Sequence, residues 1–106
     1  MTGVSEKIHK AIIELEGIES RVHRFGGIEY RLGKREIGHV HGDYLVDIPF
    51  PMKIRNELVE KGEAKQHHIL PDSGWVSFYI RKEEDVQNAI RLLKKSFDIA
   101  VENKKS

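Results

Sequence analysis

With 106 residues, 39% of them hydrophobic and 33% charged, the chain has the size and apolar content of one globular domain spanning residues 1–106. Its 18 basic and 17 acidic side chains leave a net charge of +1, so no global field draws it to nucleic acid or to an anionic membrane. The absence of cysteine excludes disulfides, thiolate catalysis and thiolate metal sites, and it fits a reducing compartment.

The first expected element is a helix over residues 4–16. Val4, Ile8, Ala11, Ile12 and Leu15 fall on one face, and Gly17 is placed to end it. Four short strands follow, separated by Gly26-Gly27, Gly33-Lys34 and Gly42-Asp43, each suited to a two-residue hairpin turn. Taken together, these turns set a register. One cross-strand row holds Phe25, Ile28, His39 and Val46, and the next holds His23, Tyr30, Ile37 and Ile48. The opposite face then pairs Arg24 with Glu29 and Arg31 with Glu36.

A second helix is expected from Pro51 to Lys61, ended by Gly62, with Met52 or Ile54, Leu58 and Val59 facing the core. Two further strands, 64–70 and 75–81, are joined through Pro71-Asp72-Ser73-Gly74. Pairing across that turn places Ile69, Val76, Phe78, Ile80 and His67 on one face. Leu70, Trp75 and Tyr79 take the other, with His68 and Ser77. The last helix, 83–101, carries the stripe Val86, Ala89, Ile90, Leu93, Phe97 and Ala100, with residues 102–106 as a frayed tail. The predicted architecture is α+β, in the order α-β-β-β-β-α-β-β-α, a mainly antiparallel meander with helices on one side.

Histidine concentrates the chemistry. His39 and His41 project to one face of a strand, and imidazole is the commonest protein metal ligand. With His67 or His68, and Asp43 or Asp47, they make three or four ligands for zinc or another borderline divalent ion. The metal set read from spacing is His39, His41 and His67. The competing reading makes His39 a hydrogen-bonded core residue between Ile28 and Val46. Asp72, Ser73 and Trp75 offer a small-ligand corner, or else a turn whose indole packs against Leu70 and Tyr79. The ligand-binding set is therefore His39, His41, Asp43, His68, Asp72, Ser73 and Trp75.

Nucleophilic catalysis has little support, because there is no cysteine, no Gly-x-Ser-x-Gly elbow and no obvious base beside Ser73. Walker and dinucleotide phosphate loops are absent. The reading leans away from an enzyme. An enzymatic version uses a histidine as general base, oriented by Asp43 or Asp72. Arg24, Lys34 and Arg35 on the hairpins supply a nucleic-acid alternative, with ion pairing to nearby glutamates as its rival. Leu70, Trp75 and Tyr79 form either a pocket wall or a homodimer surface. No apolar run approaches membrane-spanning length and residues 1–7 lack a signal-peptide core, so a cytoplasmic protein without membrane partners is expected.

From Gly38 to Ala100 the chain resembles the small "luciferase domain" family, which is unrelated to the firefly-type adenylating enzymes. The resemblance lies in Gly38-His39-Val40-His41-Gly42-Asp43, in Asp47-Ile48-Pro49-Phe50-Pro51, in the run from His67 through Pro71-Asp72-Ser73-Gly74-Trp75 to Ser77, and in Glu84-Asp85-Val86. It implies that the histidines and the Pro71–Trp75 segment belong to one signature, and it carries over no substrate or catalytic residue. The order of elements is also similar to double-wing domains of some DNA-binding proteins, a likeness of fold alone.

Overall fold

The computed structural model describes residues 2–22 and 26–105. It contains α1 (Val4–Ile12), β1 (Ile18–Val22), β2 (Ile28–Leu32), β3 (Arg35–His41), β4 (Leu45–Pro49), α2 (Met52–Glu60), β5 (Lys65–Gln66), β6 (Trp75–Tyr79) and α3 (Glu83–Lys105). This is the expected α+β order. The strands form one antiparallel sheet, β1-β2-β3-β4-β6-β5. No helix among the described residues is long and apolar enough to cross a membrane.

Val4, Ile8 and Ile12 of α1 pack with Val86, Ala89, Leu93, Phe97 and Ala100 of α3 against Tyr30, Ile37, Val40, Val46, Ile48 and Val76 of the sheet. The first helix stops one turn earlier than expected. Leu15 N–H closes on Ile12 O at 3.0 Å, and Leu15 still packs against the core from outside the helix. The last helix runs longer. It leaves no frayed tail before Lys105, and Asp85 caps its start by accepting from Arg81 and Lys82 N–H at 2.8 and 3.1 Å. In α2, Leu58 is buried while Met52 is exposed, so Ile54 rather than Met52 joins Val59 at the core edge.

The register departs from the expected one at three places. Ile28, Glu29 and Tyr30 pair with Val22, Arg21 and Ser20. The partners expected for them, His23, Arg24 and Phe25, lie outside the described residues. Between β2 and β3, Arg31 pairs with Glu36 but Tyr30 pairs with Gly38, so Ile37 is an extra residue, a β-bulge. Between β3 and β4, His41 pairs with Leu45, which leaves a three-residue turn instead of two.

The bulge decides which way the histidines face. In a regular strand, Ile37 and His39 share a face. One inserted residue keeps Ile37 and Val40 both in the core and turns His39 and His41 to the opposite side. His39 is therefore no core histidine, since its cross-strand neighbours are Glu29 and Asp47. The bulge is held from α3, whose buried Ser96 Oγ donates to Ile37 O at 2.9 Å. A Cβ at Gly38 would stand 2.7 Å from Leu93 Cδ2 and 3.0 Å from Asp47 O, so a side chain there would push on both the helix and β4.

The expected hairpin across 71–74 is also replaced. β5 is two residues long, and Lys65 and Gln66 pair with Ser77 and Val76. Residues 67–74 leave the sheet as a loop carrying His67 and His68, pinned where Phe50 N–H donates to Gly74 O at 3.0 Å. A Cβ at Gly74 would collide with Phe50 O.

Candidate functional site

The sheet face opposite α1 and α3 carries Asp47, paired with His39 on one side and with Ser77 on the other. Asp47 is 1% exposed. Ser77 Oγ donates to its Oδ1 at 2.7 Å, which fixes the carboxylate and aims Oδ2 away from Ser77. Around Oδ2 stand four imidazole Nε2 atoms: His41 at 3.0 Å, His68 at 3.2 Å, His39 at 3.3 Å and His67 at 3.4 Å. Two come from the bulged strand and two from the 67–74 loop.

Two of the rings, His39 and His67, are held through their second nitrogen. His39 Nδ1 lies 2.6 Å from Glu36 Oε2, and a carboxylate there accepts the Nδ1 proton. His67 Nδ1 accepts from Ile69 N–H at 3.2 Å and Leu70 N–H at 3.0 Å, so neutral His67 keeps its proton on Nε2. The rings also pack on one another: His39 and His41 meet edge to face with centroids 4.6 Å apart, and His67 and His68 stack at 4.4 Å. The indole of Trp75 lies 5.3 Å from His39 and 5.9 Å from His67.

Charge follows from this packing. Burial lowers the His39 pKa, but hydrogen bonds to Asp47 and Glu36 outweigh it and hold the ring at about 9. Burial raises the Asp47 carboxyl, yet hydrogen bonds from His39, Ser77 and His68 bring it well below the ordinary carboxylate range. For His67 the balance falls the other way. Burial lowers its pKa, Asp47 opposes this, and the neighbouring His68 adds to the lowering.

Beyond the imidazoles opens a cavity of about 370 Å³ walled by Ile69, Leu70 and Trp75. Leu70 and Trp75, expected as a pocket wall or a dimer surface, line this cavity. Tyr79 lies elsewhere, under Arg81 at 5.5 Å.

Not all sequence candidates reach the site. Asp43 turns away and accepts from Ser5 N–H at 3.0 Å, serving the start of α1. Ser73 makes its own turn, donating to Leu70 O at 2.7 Å and accepting from Trp75 N–H at 3.2 Å. Asp72 is exposed and does not line the cavity. Neither Asp43 nor Asp72 therefore orients a histidine; Asp47 and Glu36 hold those places. Of the nucleic-acid candidates, Lys34 lies in the β2–β3 turn and Arg35 opens β3, both beside the end of α3, and Arg24 lies outside the described residues. Arg31 stands opposite Glu36 in the register, as expected, but forms its ion pair with Glu29 at 2.5 Å, while Glu36 bonds His39.

Sequence reasoning missed Glu36, Ser77 and Arg55. Glu36 sits three residues before His39, where a bulge is needed to bring both to one face. Ser77 becomes relevant only through its register with Asp47. Arg55 is buried in α2, and its guanidinium donates to Pro71 O, securing the loop that carries His67 and His68.

A protein-family model, described as Luciferase domain, matches residues 34–96, more than half of the chain. The chain belongs to the Luciferase domain family. None of the curated proteins and none of the solved structures compared with it matches. In this Luciferase domain the matched segment spans Glu36, all four clustered histidines, Asp47, Ser77 and Trp75. It also holds both devices that set the bulge, Gly38 and Ser96.

Proposed function

We propose that this Luciferase domain is a binding module for a first-row divalent metal ion, held by His39, His41 and Asp47 from the sheet. One observation carries the reading: four Nε2 atoms surround a single carboxylate oxygen at 3.0–3.4 Å. An oxygen with two acceptor positions has no use for four donors. Two ligands about 2.1 Å from one ion, roughly 90–109° apart, lie about 3.0–3.4 Å from each other, which is the separation between each imidazole Nε2 and Asp47 Oδ2.

The donor types support the same reading. His39, His41 and Asp47 bring one donor each within 4.8 Å of one another, the two-histidine, one-carboxylate combination that suits iron, zinc or manganese. His67 and His68 approach the same carboxylate oxygen from the loop side. Glu36 behind His39 and Ser77 behind Asp47 supply the outer hydrogen bonds that orient ligands and raise their basicity. The wild-type protein is expected to bind Co²⁺ with d–d absorption of a low-coordinate nitrogen and oxygen site, and to lose the ion to Zn²⁺ and to chelator. His41→Ala should abolish the bands with an unchanged circular dichroism spectrum. Absence of Co²⁺ and Zn²⁺ uptake by folded wild-type protein overturns the proposal.

A further inference from the structure

The four clustered histidines are not equivalent, and the difference lies in their second nitrogens. His39 gives its Nδ1 proton to Glu36, so its Nε2 faces Asp47 and would ligate a cation that displaces the Nε2 proton. His67 is set the opposite way. Two consecutive backbone amides, Ile69 and Leu70, donate into its Nδ1, so the ring proton stands on Nε2 and faces the site. Both donors belong to the loop itself, and the ring is only 8% exposed, so this tautomer is built in. A nitrogen bearing a proton donates a hydrogen bond and does not ligate.

Resting on the metal-site reading above, we infer that His67 is a fixed hydrogen-bond donor rather than a ligand. The site then takes a small carboxylate with an apolar body, one oxygen on the ion and the other accepting from His67 Nε2–H. A carboxylate is the simplest group with two acceptor oxygens able to serve the ion and the donor together. The cavity describes the rest of the molecule. Its about 370 Å³ is walled by Ile69, Leu70 and Trp75, of which Ile69 is 71% and Leu70 50% exposed. Large aliphatic side chains standing open beside a polar floor suit an alkyl or aryl body laid against them. Among the carboxylates at the floor only Asp47 is buried, so the ion keeps positive charge for an anionic head.

The probe is a series of simple alkanoates added to the Co²⁺-loaded chain, followed by the shift of the cobalt bands. Acetate, butyrate and hexanoate should bind with affinity rising about tenfold for every two methylenes, as burial of each against the loop wall requires. Hexylamine should not bind. Leu70→Ser should flatten the dependence on chain length. His67→Ala should retain Co²⁺ with unaltered bands and weaken hexanoate at least tenfold, and His67→Gln, which restores an N–H donor, should recover part of that loss. Co²⁺ uptake without any response to alkanoates, or equal affinity for all three, overturns this inference and leaves the metal site standing. Loss of Co²⁺ in both His67 variants makes His67 a ligand and overturns it as well. Failure of the wild type to take up Co²⁺ removes the metal reading and this inference with it.

Discussion

Ser77 and Asp47 face each other across β4 and β6, and the 2.7 Å bond from Ser77 Oγ to Asp47 Oδ1 leaves Oδ2 as the single point on which four imidazoles converge. Ser77→Ala deletes that bond inside a buried pair. A loss of about 1–2 kcal/mol in stability is expected from the unmet carboxylate acceptor, together with a roughly 10–100-fold weakening of Zn²⁺ binding from the freed carboxylate. Urea melts of the metal-free protein and zinc titrations measure the two separately. Wild-type affinity in the variant would show that Ser77 does not orient the ligand.

Glu36 acts on the site through His39 Nδ1 at 2.6 Å. Glu36→Gln keeps the shape but removes the charge that supports the Nδ1–H tautomer. Metal affinity should fall roughly 10–100-fold, the usual range for an outer-shell carboxylate behind a ligating histidine. Because Glu36 is only partly exposed and its bond helps raise the His39 pKa, the metal-free variant should also lose some stability at neutral pH. An affinity equal to wild type would detach Glu36 from the site.

The orientation of His39 and His41 depends on Ile37 occupying the bulge, and the bulge depends on Ser96 and Gly38. Gly38→Ala forces a Cβ to within 2.7 Å of Leu93 Cδ2 and 3.0 Å of Asp47 O. A destabilisation of about 1–3 kcal/mol is expected from this overpacking. The ¹H–¹⁵N shifts of residues 36–41 should be the most displaced. Ser96→Ala leaves Ile37 O without its 2.9 Å donor and should cost about 1–2 kcal/mol. Unchanged denaturation midpoints in both variants would mean that the bulge is set by the turns alone.

Alkaline stability should report Tyr30, which is fully buried with its hydroxyl 2.9 Å from His9 Nδ1. Burial pushes its pKa from 10.0 up to about 12. Folding thus favours the neutral phenol, and the contribution is whole below pH 10. It disappears as the pH rises from about 10 to about 12, at most about 2–3 kcal/mol over that window. Tyr30→Phe has no proton to lose there. Its urea midpoint should fall less steeply than wild type between those values, and parallel curves would contradict the assignment.

The sequence alone determined the elements and the composition of the site. The helical stripes of Val4, Ile8 and Ile12 and of Val86 to Ala100 are local periodicities, legible because burial of one helix face imposes a 3.6-residue repeat. His39, His41, His67, His68 and Trp75 stood out because imidazole and indole are chemically distinctive wherever they lie. Tertiary structure decided their directions. A strand's side chains alternate, so one extra residue at Ile37 exchanges core and site faces, and nothing in Glu36-Ile37-Gly38 marks the bulge without Leu93 and Ser96 of α3 pressing on it. The same holds for the loop. Pro71-Asp72-Ser73-Gly74 does form a turn, as its residues dictate, but Arg55 and Phe50 hold its strand of origin away from β6, and this delivers His67 and His68 to Asp47. Asp47, flanked by Val46 and Ile48, became the centre of the site because contacts distant in sequence converge on its carboxylate, and pairwise register across a sheet is fixed by the whole fold rather than by any one segment.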